Sequence, residues 1–432
     1  MLLWTGQSIS EIGSAITVIV LPLTAVITLK ASTFEVGLLA AAATVPFLLI
    51  ALPAGLVVDR LAKRWLMLGC DVARMAAIGS VPLAAAAGVL TLGQLYAVAL
   101  LTGVATVFFD VAYQSYVPSL IGRGQLLDAN GKLGATQSFA QVVGPGLGGA
   151  LFGLLRAGAM TADALSYAVS SASLLLIRAR ESVPGHASGR GPAGAAGGAC
   201  PARAALRTEL LAGAVFVVRH PVLRKIAACT ATANLFVAVA SAVQIIFLVR
   251  VLHVPAAGTG VLLAVGSVGG VAAGLASGRL GRRIGSARII PVSLLCFGAI
   301  GLLIPLTEPG WRLALFPVGF AGFVFAGVIY NIAQLSYRQT ICPPELYGRL
   351  NAAIRWIVWG TLPLGGVLGG ALGTVAGVRA TLWIGCAGTW AAGWWVFFSP
   401  LRSMRDIPAP SEPEEAPAPP APAPSSDGDR AA

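Results

Sequence analysis

Apolar residues in this chain come in unbroken blocks, each long enough for a helix to cross the hydrocarbon core of a bilayer, which takes about 20 residues. Twelve such blocks lie near residues 3–29, 35–58, 65–89, 95–118, 132–156, 161–178, 226–249, 258–277, 289–306, 311–334, 350–376 and 380–398. Polar and charged positions collect between them. The fold class this predicts is an all-α membrane protein with 12 transmembrane helices.

The pattern also repeats. Residues 113–151 and 334–372 align when the chain is slid by 221 positions, which puts Tyr116 on Tyr337, Asn130 on Asn351, Gly144 on Gly365 and Gly148-Gly149 on Gly369-Gly370. A membrane chain of two similar halves points to a solute pathway at their interface, opened alternately to either side. The expected units are a six-helix bundle over 1–178, a cytoplasmic linker over 179–225, a second bundle over 226–398 and a disordered cytoplasmic tail over 399–432. The linker is rich in Gly, Ala, Pro and Arg over 179–205 and predicts flexibility there. Residues 206–220 predict an amphipathic helix, lying on the bilayer surface or on the cytoplasmic ends of the bundle. The alternation of Pro, Ala, Ser and Glu from 407 onward buries too little apolar area to fold.

Charge sets the orientation. Only 11% of residues are charged, mean hydropathy is +0.82 and net charge is +12. Of the 29 Lys and Arg residues, 22 fall between spans on the side that carries both termini and 5 on the other, while Arg74 and Arg355 lie within spans. The excess places both termini in the cytoplasm of a cell whose inner or plasma membrane holds the chain. Nucleic acid is not a partner this charge calls for, because the cations serve topology. The 6 cysteines have neither metal-ligand spacing nor a disulfide framework. Trp4, Trp311, Trp383, Trp390, Trp394 and Trp395 fall towards span ends, as interface anchors do.

Two local motifs carry more. After the second span the chain reads Gly55-Leu-Val-Val-Asp59-Arg60-Leu-Ala-Lys63-Arg64, with a worn copy at Gly274-Leu-Ala-Ser-Gly278-Arg279-Leu-Gly-Arg282-Arg283. A carboxylate at the membrane edge needs a cationic partner; the plainer reading is that these charges only set topology. Span five carries Gly131, Ala140, Gly144-Pro145 and Gly148-Gly149, where small residues one turn apart allow close helix packing and Pro145 removes a backbone donor. These motifs resemble those of the major facilitator superfamily, with Ala62 and Ala140 in place of two of its glycines. Gln7 to Gly13, Asp71-Val-Ala-Arg74, Ala164 to Tyr167, Arg219 to Leu223 and Tyr347 to Asn351 resemble its enterobactin-exporter and macrolide-efflux branch. The resemblance implies two pseudo-symmetric six-helix bundles. It also implies a cytoplasmic gate formed by Gly55, Asp59, Arg60, Lys63 and Arg64, with Arg355 as partner of Asp59 across the halves, and an antiporter motif at Gly144, Pro145, Gly148 and Gly149.

Four charged residues fall in the cytoplasmic half of the first bundle: Glu11, Asp71, Arg74 and Asp110. Asp71 and Arg74, three apart, can pair on one helix face. A desolvated carboxylate among the remainder is a candidate proton carrier. Asp110 is the first choice, its repeat equivalent being the neutral Asn331, and Glu11 the second; the other readings are a structural anchor on Arg74 for Asp110 and an exposed surface site for Glu11. Tyr113, Gln114, Tyr330, Asn331 and Gln334 are candidates to hydrogen-bond a substrate. Asp163 and Arg156 are expected as an interfacial pair at the outer ends of spans six and five.

The function expected is export of an amphipathic small molecule (drug, siderophore or natural product) by proton antiport; import of a polar metabolite is the alternative. A primary pump lacks its phosphate loop here, since Leu126 stands where the first loop glycine would. No nucleophile–base arrangement suggests an enzyme, and no cofactor or metal is called for. The partners are a small-molecule substrate, protons and the lipid bilayer, engaged by a monomer.

Overall fold

A backbone without water must satisfy its N–H and C=O groups within its own segment, so the apolar blocks fold as helices. The computed structural model describes residues 2–58, 61–120, 126–177, 215, 218–341 and 344–406. Among the described residues there is no strand, and twelve helical rods follow one another. They are α1 (Leu2–Leu23), α2 (Thr33–Val58), α3 (Lys63–Ala86), α4 (Leu92–Leu120), α5 (Leu126–Leu155), α6 (Met160–Leu176), α7 (Pro221–Ile246), α8 (Ala256–Ile284), α9 (289–306), α10 (Leu315–Ile341), α11 (Pro344–Val375) and α12 (Val378–Phe397). The rod α9 is irregular: one α-turn, then π and 3-10 geometry to Leu306. Ten stretches, covering α1 to α11, are long and apolar enough to cross a membrane, and one of them, Lys132–Leu176, holds both α5 and α6. Large apolar side chains stand outward, Leu275 at 74% and Val375 at 88% exposure; an apolar surface of that extent is covered by lipid.

The rods pack with one scheme used twice. In the first half the chief contacts are α1–α6, α1–α5, α2–α4, α3–α4 and α3–α6; in the second they are α7–α12, α7–α11, α8–α10, α9–α10 and α9–α12. Adding six to each label converts one set into the other. Two extensive contacts join the halves, α2–α11 and α5–α8, and the same operation exchanges them. We call the side bearing residue 2 and the α6–α7 connection the terminal side, and the opposite side distal.

The distal ends of α1 and α7 show the duplication atom by atom. Each closes in a five-residue π turn, Thr24–Thr28 and Phe247–Val251. Each is followed by a residue in the left-handed region, Lys30 (φ 53°) and His253 (φ 55°). The carbonyls of Ala25 and Leu248 accept from Ala31 and Val254, both at 2.9 Å, which ties off the helix end. These positions match at an offset of 223, not the 221 that aligns Tyr116 with Tyr337. The second half is thus two residues shorter between the anchors, and its third rod is the irregular one.

Several boundaries are settled by local chemistry. His220 begins α7 by accepting the Leu223 N–H on Nδ1 at 3.2 Å, with Pro221 at the first helical position. Burial holds its imidazole below the ordinary value, keeping that acceptor neutral. Arg64 ends α6 from outside, donating to the Leu174 and Leu175 carbonyls at 2.8 and 2.9 Å. Residues 399–406 depart from the expected tail: Leu401 is fully buried, Ala287 N–H donates to Arg405 O at 3.1 Å, and Asp406 accepts from Ser286 N–H at 3.0 Å. Residues 407–432, and most of the expected 206–220 helix, lie outside the described residues.

On the distal side the halves meet backbone to backbone. A Cβ added to Gly260 of α8 would stand 2.8 Å from the Gly149 Cα of α5. Gly260→Val should therefore force the α5–α8 seam apart at an overpacking cost of about 1–3 kcal/mol, roughly a 5- to 150-fold shift away from the distally closed form. Thiol labelling from the distal side of a cysteine placed at Gly153, close by on the same seam, checks this; an unchanged labelling rate contradicts it.

Candidate functional site

The span-five motif sorts its small residues by face. Gly144 and Gly148 lie against α1 of their own half, at Ala15 and Ile16. Gly149 and the Pro145 carbonyl lie against Gly260 of α8, across the halves. Their repeat equivalents do the same: Gly365 and Gly369 meet α7 at Leu235 and Val239, while a Cβ on Gly37 of α2 would stand 2.6 Å from both Gly366 O and Gly370 Cα. Both cross-half seams are therefore built on glycine, one pair on each side of the pseudo-twofold. Arg250, just past α7, adds a polar tie on the distal side, donating to Ala31 O at 2.6 Å and Val26 O at 3.1 Å in the first half. It lies where α1 leaves its carbonyls without helical partners.

Towards the terminal side the seams loosen. Midway, Trp356 donates to Leu48 O at 3.1 Å and Trp359 packs on Phe47, ring centroids 4.8 Å apart. Beyond, a Cβ on Gly55 of α2, Gly134 of α5 or Gly274 of α8 would meet nothing within 4 Å. Among the described residues the glycine-on-glycine contacts between the halves lie distally, and these three terminal-side glycines face open space.

The loop after α2 is only partly visible. Gly55 ends α2 in open space, Lys63 starts α3, and Arg64 is used on α6 as described. Asp59 and Arg60 lie outside the described residues, as does the side chain of Arg355.

Of the cleft candidates, Glu11 is half-buried and accepts from Gln7 Nε2 at 3.0 Å. Asp110 is half-buried on α4, with exposed Gln114 one turn on along the same face and Tyr113 stacked on Phe109 at 6.0 Å. Asn331 on α10 is exposed, and its Oδ1 accepts from buried Gln334 at 3.2 Å. Tyr330 is turned inward: its hydroxyl contacts Thr230 at 2.7 Å and Ile226 O at 3.2 Å on α7, so it supports the wall rather than facing a solute.

A larger polar cluster fills the first half between α1, α3, α4 and α6. Asp71, fully buried, accepts from Arg74 at 2.5 Å and Ser170 at 2.7 Å. The Arg74 guanidinium lies between the rings of Phe109, at 4.3 Å, and Tyr167, at 4.6 Å. Asp163 belongs to this cluster and does not pair with Arg156. It is fully buried and bonded to Thr17 and Ser166, whereas Arg156 sits over the Phe152 ring at 6.0 Å. Placing Asp163 by its depth along the span missed that α1 turns small residues, Gly13 among them, towards α6. The repeat lacks these charges: the rod α9 has no charged residue and α12 has no acid. Among the described residues no group of three or more metal-ligating side chains occurs.

A family model described as Major Facilitator Superfamily matches residues 3–363. The Multidrug efflux pump Tap of Mycolicibacterium fortuitum is 27% identical over 384 residues, covering 85% of this chain and 88% of that protein. Solved structures of the nucleoside transporter NupG (TM-score 0.67, 13% identity, 92% of this chain and 97% of that one) and of a POT family transporter in complex with 5-aminolevulinic acid (TM-score 0.72, 10% identity, 93% and 96%) share the fold. A bacterial homologue of the iron transporter ferroportin, in its inward-facing state, matches with a TM-score of 0.66 at 16% identity, over 93% and 98% of the two chains.

Removing one partner of the buried pair exposes its worth. Arg74→Leu strands Asp71 and should lower stability by about 3–5 kcal/mol, with the Asp71→Asn/Arg74→Leu double variant losing clearly less. Thermal unfolding of the purified protein in detergent checks this; equal losses contradict it.

Proposed function

Because this chain belongs to the Major Facilitator Superfamily, we propose that it is a secondary transporter that exports an amphipathic small molecule in exchange for protons. The terminal side is the cytoplasmic side, on the charge asymmetry between the connections. The arrangement described above, shut distally and apart on the terminal side, is then the inward-facing state, ready to take its solute from the cytoplasm or the inner leaflet. Similarity to a multidrug efflux pump along most of both chains supports export and an amphipathic substrate.

What supports the reading is the pairing of a distal glycine seal with two half-buried acids, Glu11 and Asp110, nearer the terminal side of the first half. Asp110 and Glu11 belong to the first half, and Asn331 stands at the repeat position of Asp110. A wall that can lose its charge by taking a proton, opposite one that cannot, lets protonation change which state is favoured. A carboxylate is expensive to enclose and a carboxylic acid much less so. Exposed Gln114 and Asn331 offer hydrogen bonds to a solute, amid the apolar surfaces of Trp356 and Trp359. The loop charges Asp59, Arg60, Lys63 and Arg64, with Arg355 across the halves, serve as the gate that holds the cytoplasmic side shut in the opposite state.

Uptake of ethidium into everted membrane vesicles tests direction and energy source together. Wild-type protein should accumulate the dye and lose it on adding a protonophore. Asp110→Asn should cut the protonophore-sensitive uptake at least roughly tenfold, about 1.4 kcal/mol of lost coupling, with unchanged membrane insertion. Uptake indifferent to the protonophore contradicts proton exchange, and accumulation only in right-side-out vesicles contradicts export.

A further inference from the structure

The first half encloses two carboxylates and one guanidinium: Asp71 and Asp163 at 0% exposure and Arg74 at 5%. Fully ionised, the group would carry one net negative charge where ions are poorly solvated. Asp71 has the counter-groups, Arg74 and Ser170. Asp163 is left with hydroxyls, Thr17 from α1 and Ser166 from its own helix. A hydroxyl has a single proton to give, and that of Ser166 goes to the Asp163 backbone carbonyl at 2.7 Å. Its 3.2 Å contact with Asp163 Oδ1 is therefore the longer arm of a shared donation, a weak counter-group for a carboxylate.

The other charged and titratable groups facing Asp163 fit a neutral acid. From α3 these are Cys70, Asp71 and Arg74, whose cation is held by Asp71 and the two rings. From its own helix it is Tyr167, whose hydroxyl contacts Ser14 of α1 at 2.9 Å. Arg156, just before α6, is turned to Phe152. On α1 the nearest acid is Glu11, six positions from Thr17 towards the terminal side and bonded to Gln7.

The helix α1 connects this acid to both ends of the pathway. Its backbone at Gly13 lies so near that a Cβ would stand 2.6 Å from Asp163 Oδ1. Its polar positions Thr17, Ser14, Glu11 and Gln7 recur every three or four residues, on one face, leading from Asp163 to the open cleft. In the other direction the same helix ends in the π turn beside which Arg250 ties the halves together, donating to Val26 O and Ala31 O.

We propose that Asp163 holds the exchanged proton while the distal side is shut, and that Tyr167, Ser14 and Glu11 are its way out to the cytoplasmic cleft. The assignment rests on the proton-exchange reading above. A proton from water on the distal side adds to the Asp163 carboxylate when that side is open. It leaves through Glu11 to cytoplasmic water, and no other bond is made or broken.

Infrared difference spectroscopy of the full chain in liposomes reads the proton directly. Wild-type protein should show the C=O band of a protonated aspartic acid at neutral pH, identified by its shift in D2O. Asp163→Asn should lack this band and Asp163→Glu displace it. Spin labels at Val89→Cys and Trp311→Cys, on distal connections of the two halves in a background without native cysteines, should move apart as pH rises and the band disappears. In Asp163→Asn the short distance should persist at every pH. A wild type without the band, a band unmoved in Asp163→Glu, or an Asp163→Asn distance that titrates like wild type overturns the assignment. Asp163→Glu decides the matter even if Asp163→Asn does not fold. A band that behaves as expected alongside protonophore-insensitive ethidium uptake places the failure in the exchange reading instead, and ends the carrier role of Asp163.

Discussion

Two pairs of helices cross so closely that a methyl group does not fit between them, and the rest of the architecture follows from those crossings. Where α5 meets α8 and α2 meets α11, glycine lies on glycine and backbone on backbone. Such contacts need no side-chain interdigitation, so a seam can part and re-form without repacking a core. They also set the level at which the halves touch. The glycines lie in the distal part of each helix, which makes the distal side the one shut here. The second face of the same motif, Gly144 and Gly148 on α1, fixes α5 to its own bundle so that the seam moves with the bundle.

Superposed on this symmetry is an electrostatic difference. The first half buries Asp71, Arg74 and Asp163, while in the second the corresponding rods α9 and α12 carry no acid. Buried ions are retained at a cost in stability unless they are paired and hydrogen-bonded, and here the cation is sandwiched between rings as well. The second half packs apolar residues around Tyr330, Tyr337 and Ile354, with Arg338 and Gln334 buried beside them. On the proposed reading, the first is the half in which a proton alters packing. Arg250 crosses between them at the end of the helix that carries Glu11 and Thr17.

Much of this was legible in the chain. The apolar blocks located all twelve rods with ends within seven residues, because a membrane-spanning helix needs one long apolar stretch. The repeat revealed the twofold relation through Gly144, Gly148 and Gly149, whose spacing survives because backbone contact tolerates no substitution. What escaped lay in the third dimension. Asp163 looked like an end-of-span partner for Arg156, since depth along a helix says nothing of which face turns inward. Tyr330 looked like a cavity residue for the same reason. The two-residue shortening between the end of α7 and Tyr337 of α10 hid the match of the π turns, which share geometry but almost no residues. Arg64 read as a gate charge, and in this state its guanidinium closes the end of α6.

The distal seams must open and close for transport to occur, and Gly153 and Ala257 offer a direct test. A Cβ on Gly153 would lie 3.7 Å from the Ala257 Cβ across the α5–α8 seam, within the span of roughly 3.5–4.5 Å that a disulfide bridges. The Gly153→Cys/Ala257→Cys pair, in a background without native cysteines, should cross-link on oxidation, stop ethidium uptake into everted vesicles, and regain it on reduction. Cross-linked protein that transports at the uncross-linked rate would contradict a seam that opens in the cycle.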